Sequence, residues 1–211
     1  MTRTFFLPTL VLSALLIGCS GAPKEQPKTA EKKQEAPPEP VSGNTAFFRM
    51  FTAARGWAAD IEILRCGSIH LEGVPRVPGK AAAWQVTFLS PSLGKSRSYT
   101  YSVIEAEGNL HKGVFAGLEE TYTGPRGPIK PFIVQAVKVD TTTAYETALA
   151  KGLKAKEYAK AHPDLNISFV LENNNQFPGV TWRVIWGDSV SASGYSVYVD
   201  ASTGEYLKTA R

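Results

Sequence analysis

The chain has 211 residues, of which 43% are apolar, 10% aromatic and 20% charged, so it is long and apolar enough to build a sizeable core. Lys and Arg (23) exceed Asp and Glu (19) by only four, and an excess this small argues against a nucleic-acid partner. No window reaches the roughly 18 apolar residues of a membrane span.

The first 18 residues predict a signal peptide. Arg3 and the amino terminus make a positive start, and residues 5–17 form an apolar run of the length of a signal-peptide core. The run ends in Leu16-Ile17-Gly18-Cys19, which resembles the lipobox of bacterial lipoproteins. The resemblance implies cleavage before Cys19 and acylation of its thiol. The alternative is an ordinary secretory signal that ends by chance in a cysteine.

An acylated Cys19 would make membrane lipid the first partner of this chain. Each buried methylene of the acyl chains contributes about 0.8 kcal/mol, so two or three chains anchor a protein far more firmly than one. Ser20 follows Cys19, where Asp would favour retention at the inner membrane. The resemblance therefore implies an outer-membrane lipoprotein whose domain faces the periplasm or the surface.

Residues 19–43 predict a tether behind the anchor. They are rich in Pro, Lys, Glu, Gln and Ala and have almost no large apolar side chain, so they cannot bury a core. A spacer of this kind extends at most roughly 3 Å per residue and could hold a domain about 70 Å from the bilayer.

Cys66 is left without a disulfide partner if Cys19 carries lipid. Its apolar neighbours Ile63, Leu64 and Ile69 favour a buried, inert thiol. A nucleophilic role would require a histidine close in space, and no spacing in the sequence identifies one.

Beyond residue 44 the chain repeats one pattern of a helix followed by strands. An amphipathic helix is predicted from the apolar spacing of Phe47, Met50, Phe51, Ala54 and Ala58. For the second copy, Thr143 and Glu146 fit a capping box that starts a helix, and His162-Pro163 is expected to end it.

Each helix is followed by segments with period-two apolar alternation, which predicts strands. The alternating residues are Ile69 and Leu71, then Trp84, Val86 and Phe88, then Tyr99, Tyr101 and Val103 in the first copy, and Ile167, Phe169 and Leu171, then Trp182, Val184 and Trp186, then Tyr195, Val197 and Val199 in the second. Trp84 and Trp182 occupy matching positions, and we expect them to face inward, opposite Tyr101 and Val197. A ligand-stacking role for the two indoles is the alternative.

These patterns predict an α+β fold of two repeats, each a helix packed on an antiparallel sheet of about three or four strands. The expected organisation is a first repeat over 44–113, a connector with a turn and a strand over 114–139, and a second repeat over 140–211. The turn is Gly124-Pro125-Arg126-Gly127-Pro128, and the connector strand is predicted over 132–139.

The second copy resembles the PepSY domain family. The resemblance rests on Trp182-Arg183-Val184 and on the phrase YVDASTGEYL at 198–207, in which Asp200 and Gly204 shape a turn. The first copy has Ile104-Glu105-Ala106-Glu107-Gly108 in place of that turn and is more divergent. The family resemblance implies an extracytoplasmic, non-enzymatic module, associated in some members with inhibition of secreted peptidases or with regulation at the envelope.

No motif for catalysis, a cofactor or a metal is evident, and none of these is expected. His70, His111 and His162 are isolated from one another, with His70 alternating outward on a strand and His162 at a helix end. Glu119-Glu120 are neighbours whose side chains point apart, which favours a charged loop over an acid-base pair.

Three functional hypotheses follow. The first is a tethered binding or regulatory module that presents a surface or sheet edge to a peptide, a peptidase or another envelope protein. The second is a structural or assembly lipoprotein of the envelope. The third and weakest is a hydrolase built from residues distant in sequence, such as Cys66 with a histidine.

Overall fold

The computed structural model describes residues 37–125 and 127–211. Cys19, the signal peptide and most of the predicted tether lie outside these residues. The helices are α1 (Gly43–Ala54), α2 (Thr141–Lys151) and α3 (Ala155–Ala161). The strands are β1 (Val41–Ser42), β2 (Glu62–Ile69), β3 (Lys80–Ala81), β4 (Ala83–Ser90), β5 (Lys95–Ser102), β6 (Gly113–Thr121), β7 (Ile129–Lys130), β8 (Ile167–Asn174), β9 (Val180–Trp186), β10 (Tyr195–Asp200) and β11 (Tyr206–Ala210). Within this part of the chain no helix is long and apolar enough to cross a membrane.

Eight strands lie side by side in one antiparallel sheet, in the order β6-β5-β4-β2-β8-β9-β10-β11. The short strands β1 and β3 pair with each other, and β7 joins the end of β8. From the centre outward both halves have the same order, because β2, β4, β5 and β6 follow α1 just as β8, β9, β10 and β11 follow α2 and α3. The predicted α+β class with antiparallel strands is confirmed, and all the strands of both halves except β1 and β3 share one sheet.

The two long helices cover one face of this sheet. Helix α1 packs against β4 and β5, and α2 packs against β9 and β10. The predicted inward residues of α1 are buried at Phe47, Met50 and Ala54, but the helix ends at Ala54 and Ala58 lies beyond it. The core between helices and sheet is dominated by large side chains, with Trp84, Trp182, Phe88 and Phe169 at most 1% exposed.

Two predictions about the second helix were wrong. Helix α2 starts at Thr141 and is capped by Asp140, whose Oδ1 accepts from the Thr141 amide at 2.7 Å, so the Thr143/Glu146 box does not form the cap. The helix also ends at Lys151, with Gly152 as its C-cap, and α3 follows as a separate helix that ends at Ala161, directly before His162-Pro163. A β-carbon on Gly152 would lie 2.5 Å from the Ala148 carbonyl oxygen, so glycine is required at this break.

The connector differs from the prediction as well. No strand covers 132–139: Phe132 makes an isolated bridge, Val134–Ala136 form a 3-10 turn, and the Lys138 and Val139 amides donate to the Ala201 carbonyl oxygen. Conversely, residues 113–121 form β6 at the sheet edge. Glu119 and Glu120 therefore belong to a strand and not to a loop. The last residues of the predicted tether, Val41 to Gly43, also belong to the fold.

Candidate ligand-binding cavity

The two halves of the sheet meet along a short seam between β2 and β8. Three residue pairs are in register, Arg65 with Glu172, Cys66 with Leu171 and Gly67 with Val170. Both strands are longer than this paired stretch, so the backbone N–H and C=O groups of β2 and β8 beyond it need other hydrogen-bond partners. The two ends find them in different ways.

One end, which we call the filled end, is occupied by the chain itself. Ile129 and Lys130 of β7 pair with Asn174 and Asn173 at the end of β8. Phe132 then exchanges two backbone hydrogen bonds with Ile63 of β2, at 2.8 and 2.9 Å. The Phe132 side chain is only 6% exposed and belongs to the core. Residues 129–132 thus complete the sheet where β2 begins and β8 ends.

At the other end, the open end, side chains bridge the two strands. The Phe169 amide donates to Ser68 Oγ at 2.8 Å, and His70 Nε2 lies 3.1 Å from Ser168 Oγ. Ser168 Oγ in turn donates to the Gly187 carbonyl oxygen at 2.6 Å. Beyond these contacts the molecule contains a cavity of about 690 Å³, which we call the seam cavity. Its volume falls within the range of about 300–1,000 Å³ that is usual for ligand sites.

Several parts of the fold form the walls of the seam cavity. They are the loop between β2 and β3, strand β3, helix α2, the end of α3 and the loop after it, the start of β8, and the end of β9 with the loop after it. The residues that line the cavity include His70, Glu72, Arg76, Lys80, Tyr145, Ala159, His162, Ile167, Trp186 and Asp188. Sequence spacing could not assemble this set, because its members come from segments as far apart as residues 70 and 188.

Charges of both signs line the cavity in equal number among its Lys, Arg, Asp and Glu side chains, with Arg76 and Lys80 offset by Glu72 and Asp188. Burial is the main cause that lowers the pKa of His70 below its ordinary value of 6.5, and Arg76 lowers it further, while Asp188 and a hydrogen bond to the Ile167 backbone oppose the shift. His70 is therefore a neutral hydrogen-bonding group at pH 7. This balance favours a neutral or zwitterionic ligand over a strongly charged one.

Trp186 supplies an unsatisfied donor in the cavity wall. Its ring packs against Tyr145 and, edge to face, against Tyr195, with centroids 6.2 and 5.2 Å away, and its side chain is 1% exposed. Its Nε1–H is buried and has no acceptor among the described residues. Trp84 and Trp182 donate to backbone carbonyl oxygens instead. A buried N–H without an acceptor is costly, so this donor is a local weakness in the packing of the cavity wall.

The other predicted site residues are dispersed. Cys66 is a fully buried free thiol, and burial raises its pKa far above the ordinary range, as expected for an inert side chain. His162 lines the seam cavity and packs on Tyr158 at 4.4 Å between ring centroids, whereas His111 contacts Glu105 at 3.2 Å. His70 does not point to solvent as its alternation predicted.

The acidic pair and the family turn have structural partners. Glu119 Oε1 accepts from Trp57 Nε1 at 2.9 Å. Asp200 Oδ1 accepts from the amides of Ser202 and Thr203, both at 2.8 Å, and Gly204 has φ of +80°, so this segment forms the predicted turn. Within residues 37–125 and 127–211, no group of three or more His, Cys, Asp or Glu side chains is placed to hold a metal ion.

A second surface of interest is the edge strand β6, whose outward side chains are largely exposed. Val114 and Phe115 are partly exposed and Leu118 is 89% exposed. An edge strand with exposed apolar side chains can pair with another chain.

No family model matches the chain, and no curated protein matches it. A crystal structure of a chain from Clostridium difficile 630, provisionally described as a lipoprotein, is similar with a TM-score of 0.45 and 10% sequence identity. The match covers 78% of this chain and 91% of that chain.

Proposed function

We propose that this protein is a lipid-anchored, extracytoplasmic binding module without enzymatic activity. Its acylated Cys19 holds it in the membrane, and residues 44–211 form two PepSY-like repeats that carry the binding site. The lipobox-like Leu16-Ile17-Gly18-Cys19 supports the anchor. The equal strand order of the two halves and the matched Trp84 and Trp182 support the repeats.

The observation that carries the binding role is the seam cavity, with its size and its lining of apolar, polar and charged side chains. The state of the thiol that a hydrolase would use as its nucleophile supports the non-enzymatic role. Cys66 is buried with a raised pKa, which disfavours the thiolate nucleophile. Peptidase inhibition would be one use of such a module, and its partner would then be a peptidase of the envelope.

The binding role is tested by asking whether the cavity retains a ligand. The Cys19→Ala protein, which lacks the acylated residue, is incubated with an envelope extract, washed, and analysed by native mass spectrometry. We expect a bound mass that is lost in Ala159→Phe, which fills the cavity from α3, and kept in Ala150→Phe, an equal change on the exposed side of α2. Melting curves of both variants control for misfolding. Equal retention by both variants, or no retention by the parent, would contradict the proposal.

The anchor is tested separately by fractionation. We expect the wild-type protein to sediment with outer membranes and Ser20→Asp to move the protein to the inner membrane. Cys19→Ala, made with an ordinary secretory signal in place of residues 1–18 so that cleavage is retained, should be released into the soluble fraction. Sedimentation of the wild-type protein with inner membranes, together with release of Cys19→Ala, would support the anchor and refute the outer-membrane location. Unchanged sedimentation of Cys19→Ala would refute the anchor itself.

The exposed edge of β6 favours assembly as a second candidate function, in which β6 pairs with a strand of an envelope partner. Crosslinking in intact envelopes should then capture a complex of this protein with its partner, and Leu118→Lys should abolish that complex without affecting the ligand of the seam cavity. Glu120→Lys, which adds the same side chain two residues along the strand, is the matched control. An unchanged complex in Leu118→Lys would exclude β6 as the contact.

A further inference from the structure

We infer that the seam cavity binds an extended peptide segment of about three to four residues, which completes the open end of the seam as residues 129–132 complete the filled end. This inference deepens the proposed function and rests on it.

The two ends of the seam are related by the equal strand order of the two halves. Strand β2 in the first half corresponds to β8 in the second half, and the two strands are antiparallel. The filled end, where β2 begins and β8 ends, therefore corresponds to the open end, where β8 begins and β2 ends. The same backbone arrangement thus occurs twice. At the filled end it takes up a segment that pairs first with β8 and then, through Phe132, with β2.

The two ends of the seam differ in the segments that surround them. The loop after β8 is short, covering residues 175–179, whereas residues 70–79 separate β2 from β3. The second half also has the additional helix α3. This longer loop and the end of α3 stand at the open end and enclose a cavity of about 690 Å³, whereas the filled end holds residues of this chain.

Polar groups at the open end of the seam suit a peptide backbone. Where a fourth rung would follow Gly67 and Val170, the Phe169 amide is bonded to the Ser68 side chain, so the backbone pairing of β2 with β8 stops there. Beyond this point His70 and Ile167 line the cavity. His70, which lines the cavity and has a lowered pKa, offers an uncharged hydrogen-bonding group. A peptide backbone supplies a carbonyl acceptor and an amide donor at each residue and carries no net charge, which fits the balanced lining.

The apolar part of the lining fits a side chain of such a peptide. Tyr145, Ile167 and Trp186 contribute apolar surface to the cavity. At the filled end the corresponding segment buries one aromatic side chain, Phe132, to 6% exposure. We therefore expect the bound peptide to place an apolar or aromatic residue against Tyr145 and Trp186.

The test uses capped tetrapeptides, acetylated at the amino end and amidated at the carboxyl end. The library includes Ile-Lys-Pro-Phe, the segment that the chain places at its own filled end, and binding is measured by isothermal titration and by Trp fluorescence. We expect at least one member with an apolar or aromatic residue to bind with one-to-one stoichiometry. Ala159→Phe should weaken it at least about tenfold and Ala150→Phe should not, where tenfold corresponds to about 1.4 kcal/mol.

Hydrogen exchange locates the peptide on the sheet. Binding should slow exchange of the amides at 167–169 at the start of β8, and leave those of β11 at the opposite edge unchanged. Binding that persists in Ala159→Phe, or protection elsewhere without protection at 167–169, overturns the inference.

The failure of this inference is distinguishable from failure of the proposed function. If no tetrapeptide binds but the envelope extract yields a non-peptide ligand lost in Ala159→Phe, the peptide inference is overturned and the binding module stands. If neither the library nor the extract supplies a ligand, both are overturned.

Discussion

Trp84 and Trp182 pack edge to face in the middle of the core, with ring centroids 6.4 Å apart and ring planes at 75°. Each indole N–H donates to a carbonyl oxygen 43 residues earlier in the chain, Val41 at 3.2 Å and Val139 at 2.8 Å. Both carbonyls directly precede a long helix, α1 or α2. The two side chains therefore fix the helix of each half to the sheet and join the two halves to each other.

We expect Trp182→Phe to lower the free energy of unfolding by about 2–3 kcal/mol, because it removes buried volume and leaves the Val139 carbonyl without a donor. Trp57→Phe is the matched control, since its lost N–H contact is to the exposed Glu119. The control should cost less than about 1 kcal/mol in the same urea titration. Equal losses in the two variants would mean that the Val139 contact contributes nothing.

Asp140 should matter to both helices. Its Oδ1 accepts from the Thr141 amide at 2.7 Å and from the Asn44 amide at 2.9 Å, so one carboxylate satisfies donors in the first turns of α2 and α1. We expect Asp140→Ala to lower the free energy of unfolding by about 2 kcal/mol and Asp140→Asn, which retains an acceptor, by about half as much. Asp164→Ala, at an exposed carboxylate, should cost less than about 0.5 kcal/mol. A loss for Asp140→Ala no larger than for this control would contradict the shared-cap role.

The sequence predicted the parts of the fold that depend on local periodicity. The inward positions of α1 and the central strands follow spacing alone, and Trp84 lies opposite Tyr101 as expected. Trp182 lies opposite Val199 and not Val197, because the hairpin pairs Trp186 with Tyr195 and so sets the register. Register across a longer loop is not encoded in the alternation itself.

The seam cavity could not be predicted in the same way. Its walls depend on the pairing of β2 with β8, two strands whose residues are about a hundred positions apart, and on which end of the seam residues 129–132 enter. Neither contact has a periodic signature, and residues 129–132 include Pro131, a residue type that is disfavoured within strands. Strand β6 was not predicted, because both of its faces are largely exposed at the sheet edge and its residues show no clear alternation of buried and exposed positions.

Cys66 should behave as a structural side chain. Because the thiol is fully buried and its pKa is raised by burial, we expect no reaction with a thiol reagent in native buffer and complete reaction in denaturant. Cys66→Ser should lower the free energy of unfolding by about 1–3 kcal/mol, since it buries a hydroxyl in an apolar site, and by more than Cys66→Ala. Binding of the seam-cavity ligand by the folded Cys66→Ala protein should be unchanged. Rapid native labelling, or loss of a measurable activity in Cys66→Ala, would instead favour the hydrolase hypothesis.

His70 should give the protein a pH-dependent stability. Its pKa is below the ordinary 6.5 in the folded protein, chiefly because of burial and with a contribution from Arg76, although Asp188 and the Ile167 backbone oppose the shift. The unfolded chain therefore binds a proton at this imidazole more readily than the folded protein does. The contribution of neutral His70 to the free energy of unfolding is complete above pH 6.5 and is lost as the pH falls through the folded pKa. Urea titrations at about pH 7.5 and about pH 5 should show a smaller acid-induced loss in His70→Gln than in wild type. His111→Gln, at an exposed imidazole, controls for removing a histidine in general. An identical pH dependence of wild type and His70→Gln would mean that burial at the open end of the seam does not disfavour the charged imidazole.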